Sequence, residues 1–139
     1  GLQERHGMAI LLVTHDLAVV AEVCSRVLVM YGGQLVEEGS VAEVFEEPMH
    51  PYTRGLVESL PGRHRGPLRP IPGRVPAAGE WPAGCRFAPR CRWADERCSE
   101  AQELERSSDR RSTRCGRVTR GEIVLDERPA DKPSADESS

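Results

Sequence analysis

Two groups of residues in this 139-residue chain have the types and spacing to do chemistry. The first is Thr14-His15-Asp16, which stands where a short apolar run, Met8 to Val13, hands over to a helical pattern. Open α/β sheets bind ligands at such junctions, because the carboxyl ends of strands and the N-termini of helices meet there. An imidazole at His15 would hydrogen-bond a phosphate oxygen or an attacking water, and the adjacent helix N-terminus would add partial positive charge. The plainer reading makes Thr14 and Asp16 capping residues and has His15 satisfy backbone groups at a strand end. The second group is Cys85, Cys91, Cys98 and Cys115, spaced C-x5-C-x6-C-x16-C, with Cys24 apart on a helix face as a core residue. This spacing matches neither the paired cysteines of common zinc sites nor the ferredoxin-type run. Two disulfides, a four-thiolate zinc site and an iron–sulphur cluster all stay open, and each would hold together a segment with little apolar core.

The elements that must position these groups are legible in the periodicity. Met8 to Val13 predicts a buried strand, and Leu17, Val20, Ala21 and Cys24 follow it at helical spacing, so the two make an α/β unit. Arg26 to Tyr31 reads as a strand, Gly32-Gly33 as a two-residue hairpin turn and Gln34 to Gly39 as the returning strand. Ser40 with Glu43 three residues on forms a capping box for a short helix that Pro48 closes. Pro51 suits the first turn of another helix, ending near Leu60-Pro61. From Pro61 to Gly84 there are six prolines and five glycines, which predict an extended connector. The expected organisation is a globular part over 1–60, a connector over 61–84, a Cys-rich module over 85–118 and a disordered tail over 119–139.

Composition narrows the function classes. No apolar run exceeds six residues, so no stretch of the sequence has the length of a membrane-spanning helix. The chain opens at Gly1 in the helix-like Leu2-Gln3-Glu4-Arg5, which reads as the continuation of something longer. The net charge of -3 conceals an acidic 1–60, a basic 61–120 and an acidic 121–139. The basic middle is entirely arginine; Lys132 is the sole lysine, so no catalytic lysine is available elsewhere in the sequence. Trp81, Phe87 and Trp93 lie among these arginines, but interspersed acidic residues and the absence of a strand platform argue against a nucleic-acid surface.

The segments ILLVTHDL (10–17) and RVLVMYGG (26–33), with Glu38-Gly39 after them, resemble the distal end of an ABC transporter nucleotide-binding domain. PMHPYT (48–53), Leu60-Pro61, PIPG (70–73) and GCRFAPRC (84–91) are similar to the C-terminal region of its oligopeptide/dipeptide branch, which includes nickel importers. The resemblance covers about residues 2–118. It implies an α/β fold: the C-terminal part of the nucleotide-binding domain, then a small, irregular Cys-rich extension. It also implies that His15 is the switch histidine that contacts the γ-phosphate and helps position the attacking water, with Asp16 in support. The ligands of a [4Fe-4S] cluster would be Cys85, Cys91, Cys98 and Cys115, with zinc as the alternative, and Arg86, Arg90, Arg92, Arg97 and Arg114 would offset the cluster's charge. Arg92-Trp93 and Gly116 depart from the usual family residues at those positions.

Under this resemblance the full subunit would use ATP and Mg to energise peptide import from the cytoplasmic face of the inner membrane. Its partners would be a second ATP-binding subunit and membrane permease subunits, other subunits would handle the peptide, and no nucleic acid would be involved. The sequence holds no G-x-x-x-x-G-K-[ST] loop and no apolar strand ending in an Asp-Glu pair, and Tyr31-Gly32-Gly33-Gln34 fits a turn better than the signature motif. This chain alone is therefore expected neither to hold ATP tightly nor to hydrolyse it. Two other readings compete: a stand-alone metal or iron–sulphur binding module, and a structural remnant with empty thiols.

Overall fold

The Gly32-Gly33 turn organises the molecule. In the computed structural model, which describes residues 7–62, 70–108 and 110–125, both glycines have positive φ (57° and 79°), as a tight hairpin turn requires. They join β1 (Arg26–Tyr31) to β2 (Gln34–Ser40) in antiparallel register, Arg26 opposite Ser40 and Tyr31 opposite Gln34. Val29 faces Glu37 but Met30 faces Leu35, so β2 carries one extra residue, a bulge at Val36. At this bulge two consecutive residues, Val36 and Glu37, are both buried.

Short helices flank the hairpin. Before it, α1 (Leu17–Val23) starts at Asp16, whose carboxylate accepts from the N–H groups of Ala18 and Val19 at 2.9 and 3.3 Å. After it, α2 (Val41–Glu46) opens on the expected capping box: Ser40 Oγ accepts from Glu43 N–H at 3.3 Å, and Glu43 Oε2 accepts from Ser40 N–H at 3.0 Å. The two Ser40 hydrogen bonds hold the Glu43 carboxyl below its usual range. Helix α3 (Pro51–Glu58) places Pro51 in its first turn, as expected, and uses His50 as its N-cap.

The chain then crosses over the hairpin and returns to extend its sheet. Three-residue and four-residue 3-10 turns at Ala88–Arg90 and Glu96–Ser99 lead to β3 (Glu105–Ser108) and β4 (Arg111–Thr113), and α4 (Gly116–Thr119) follows. β4 lies antiparallel to β2, with Glu37 opposite Thr113 and Glu38 opposite Ser112, giving one sheet in the order β1-β2-β4-β3. The domain is a mixed helix–strand unit on an antiparallel sheet. Its core is Val29, Tyr31, Val36, Val44 and Phe87, against which Tyr52, Leu56, Ile71, Trp81, Cys85 and Cys91 pack. Tyr31, Tyr52 and Phe87 have ring centroids 4.7 to 5.5 Å apart, and Trp81 lies edge-on to Tyr31 at 6.1 Å. Trp81 and Phe87 thus serve interior packing and form no exposed stacking platform.

One expected element is absent. Met8 to Val13 forms no strand, and the run is exposed, with Leu11 at 82% and Val13 at 89%. A strand exists only when its N–H and C=O groups have a ladder, and none of the described strands pairs with this run. The α/β unit therefore reduces here to α1 alone. The predicted helical start at 2–5 and the tail beyond 125 lie outside the described residues.

Candidate functional site

The structure treats the two chemical groups very differently. His15 sits one residue before the N-cap of α1 with its side chain exposed. Thr14 Oγ1 accepts from Asp16 N–H at 3.0 Å and Asp16 caps the helix, so these neighbours do the capping work and leave the imidazole facing outward.

The four clustered cysteines come from four different turns. Cys91 ends the first 3-10 turn, Cys98 lies in the second, Cys115 is the residue before α4, and Cys85 follows Gly84. Gly84 is what lets the first and third meet. A Cβ there would stand 2.2 Å from the Cys98 carbonyl oxygen and 2.5 Å from that of Glu100, a distance only glycine tolerates. At this contact Cys85 N–H donates to Cys98 O at 2.8 Å.

Local backbone also faces the sulphurs. Cys85 accepts from the N–H groups of Phe87 and Ala88, Cys91 from that of Trp93, and Cys115 from those of Val118 and Arg117. These bonds favour thiolates, but burial outweighs them. It pushes the Cys91 thiol up to about 12 and that of Cys115 to about 11, and it also raises Cys85. The other thiols add to the rise: Cys115, Cys85 and Cys98 act on Cys91, and Cys85 and Cys98 act on Cys115. Burial thus keeps Cys85, Cys91 and Cys115 as thiols at neutral pH, and Cys98 lies near enough to act on all three. All five cysteines are free thiols. Among the described residues no three His, Cys, Asp or Glu side chains close on a single metal ion.

The arginines expected to neutralise this site are used otherwise. Arg86 donates to Gly32 O, Arg90 to Pro72 O at 2.8 Å, and Arg114 to Leu35 O and Gln102 O at 2.7 and 2.8 Å. Arg92 lies over the Trp93 ring, and Arg97 pairs with Glu122. The groups that counter burial of the thiols are backbone N–H groups. The arginines serve instead as ties between distant backbone segments, which is how a Pro- and Gly-rich chain with few apolar residues keeps its shape.

The residues that hold the frame together are ones sequence reasoning did not single out. Arg117 donates to Trp93 O and pairs with Asp95 at 3.1 Å, and Asp95 in turn accepts from Arg97 N–H at 3.0 Å. Deeper, fully buried Glu37 accepts from the N–H groups of Met49 and His50 at 2.8 and 2.9 Å and faces Arg111 at 3.5 Å. Burial raises the Glu37 carboxyl despite these partners. Arg111 also donates to Glu47 O, so one side chain joins β4 to β2 and to the end of α2. His50, equally buried, is driven to a pKa of about 3 by desolvation; it is neutral, and its Nδ1 accepts from Tyr52 N–H at 3.1 Å. The only signal for Glu37 in the sequence was an acidic residue inside a strand, and Arg111 was one arginine among fourteen in 61–120.

Residues 36–98, from the bulge of β2 to the third clustered cysteine, match the family model of the oligopeptide/dipeptide transporter C-terminal region. The chain belongs to this family. Among its relatives, a protein of Brucella ovis named as a peptide import ATP-binding protein is 47% identical over 123 residues, covering 82% of this chain and 36% of the relative. One of Brucella melitensis with the same description is 51% identical over 108 residues, 72% of this chain and 32% of the relative. A peptide ABC transporter ATP-binding protein of Sinorhizobium fredii is 51% identical over 102 residues, 71% of this chain and 30% of the relative. The chain spans about a third of the length of these relatives. In this transporter region the matched stretch contains the hairpin return, α2, α3 and three of the four thiols, while His15 and Cys115 lie outside it. The relatives fit the transporter reading rather than a stand-alone metal module. No described helix is long and apolar enough to cross a membrane.

Proposed function

We propose that this chain supplies the C-terminal portion of an ATP-binding subunit that energises ABC-type peptide import at the cytoplasmic face of the inner membrane. The match of residues 36–98 to the transporter C-terminal region carries this reading, supported by relatives named as peptide import ATP-binding proteins. ATP and Mg would be held chiefly by residues outside this sequence, which has no phosphate loop. His15 would meet the γ-phosphate when two such subunits close together. The exposed imidazole, held beside a capped helix start, suits a residue that acts on a ligand bound largely by other segments. Closure and reopening of the pair would drive the permease subunits.

The four thiols belong to the same proposal. Four cysteines clustered in a segment with little apolar core, three of them faced by backbone N–H groups, support a thiolate-bound group as the reading, with zinc as the alternative to an iron–sulphur cluster. Cys85, Cys91, Cys98 and Cys115 would hold a [4Fe-4S] group, whose iron would take the place of the thiol protons and stabilise the tail module.

His15→Ala in the full-length subunit tests the nucleotide role. ATP turnover should fall by about 100-fold or more with nucleotide binding retained. Turnover within a few-fold of wild type would reject it.

A further inference from the structure

A two-stranded hairpin alone is marginal in water and becomes stable with a third strand or a covering face. On one face of the β1–β2 hairpin Leu28 and Met30 are exposed. The other face, with Val29, Tyr31 and Val36, is covered partly by Val44 and Tyr52 and partly by the chain beyond the connector. There Phe87 lies edge-on to Tyr31 with ring centroids 5.2 Å apart, and the Trp81 ring closes on the turn, where a Cβ on Gly32 would stand 2.9 Å from it. Arg86 donates to Gly32 O at the same point.

The third strand comes from the C-terminal return, and its ladder is short. β4 spans three residues and is registered on β2 at two positions, Glu37 opposite Thr113 and Glu38 opposite Ser112. Bonds at both ends of β4 complete the grip. Ser112 Oγ donates to Glu38 Oε1 at 2.9 Å, and Arg26 of β1 donates across β2 to Arg110 O at 2.9 Å. At the other end Arg114 meets the bulge: its N–H donates to Val36 O at 2.7 Å and its Nε to Leu35 O at 2.7 Å. Consecutive carbonyls of a regular strand point to opposite edges, so one neighbouring residue reaches both only where a bulge turns the strand and a long side chain follows it. Arg114 Nη1 also donates to Gln102 O at 2.8 Å, tying the approach to β3 to the same guanidinium.

We infer that segments 81–87 and 110–114 form a strap that keeps the β1–β2 hairpin folded, with Arg114 as its latch at the bulge, so that hairpin and strap open together. The latch lies beyond the matched stretch 36–98, so the return strand of the hairpin, which lies inside that stretch, depends on a residue outside it. Nothing in this depends on nucleotide or on a group held by the thiols.

Hydrogen–deuterium exchange of the full-length protein, read by mass spectrometry on peptides from 26–40 and 110–114, tests the strap. In wild-type protein at rising urea below the unfolding midpoint, the slowest amides of the two stretches should open with the same free energy and the same dependence on urea. If 110–114 opens at lower urea while 26–40 stays protected, the hairpin holds itself and the strap is rejected. Arg114→Leu removes the guanidinium bonds and keeps the N–H; it should speed the slowest amides of both stretches by a common factor of about 10 or more. Faster exchange in 110–114 with wild-type protection in 26–40 would overturn the strap, and wild-type protection in both would overturn the latch. If the leucine variant loses its fold, the wild-type urea series decides.

Discussion

The segment 7–24 and the segment 85–125 invert the usual relation between apolar content and order. The first has the best strand signal in the sequence, yet Ile10, Leu11 and Val13 are 68%, 82% and 89% exposed and only α1 forms. The second is rich in arginine, acidic and small polar residues, yet it contributes Phe87, two core-packed cysteines and two strands of the sheet. An apolar run has nothing to gain as a strand until a ladder and a covering face are present. A polar run becomes ordered when its arginines and backbone find specific long-range partners, here Gly32 O, Leu35 O and the free edge of β2. Order in this molecule follows satisfied backbone groups more closely than hydrophobicity.

That contrast breaks most easily at Arg111. Its guanidinium pairs with Glu37, which has no exposed surface, and ties β4 to the α2 end. Arg111→Met should cost about 3–5 kcal/mol in urea unfolding, because it leaves a buried carboxylate without its cation. Adding Glu37→Gln should recover part of the loss. A cost below about 1 kcal/mol would mean that the return strand is held by packing and not by this pair.

Acid probes the same junction. His50 is neutral when folded, with a pKa near 3 against 6.5 when unfolded, so protons bind the unfolded chain preferentially between those values. Its contribution is complete above about pH 6.5 and is lost as pH falls, at up to about 1.4 kcal/mol per unit. Glu37, whose carboxyl is raised, opposes this trend, since its protonation is easier in the folded state. His50→Asn keeps a cap for Tyr52 N–H and removes the imidazole, so the difference in unfolding slope between the two proteins isolates the histidine. Equal slopes would show that His50 can be charged in place.

Ser40→Ala removes one side of the capping box and should cost about 1 kcal/mol. The smallest effect is expected in the exposed run: Val13→Ser in this chain should change unfolding free energy by less than about 0.5 kcal/mol. A large loss there would mean that Met8 to Val13 is covered in solution and that the contrast between the two segments is false.

Much of the hairpin and its flanking helices was readable from single windows of sequence. Gly32-Gly33 demands positive φ, Ser40 and Glu43 satisfy each other across one turn, Asp16 caps its own helix and Pro51 presets a first turn. The four clustered cysteines were also legible as a group, because thiols that gather in a segment poor in core residues need a shared purpose. What held them was not. Gly84, whose bare backbone lets the Cys85 and Cys98 turns meet, looked like one more glycine in an extended connector. The arginines looked like surface charge and proved to be carbonyl ties.

The sequence by itself determined which short stretches turn, cap and bend, since those choices are made by backbone geometry and side chains within four residues of one another. Only the tertiary structure decided that β4 would pair with β2, that Arg111 would meet Glu37 across seventy-four positions, and that Met8 to Val13 would stay without a ladder. Such pairings depend on which distant groups are left unsatisfied once the local structure has formed, and no window of the sequence contains both partners.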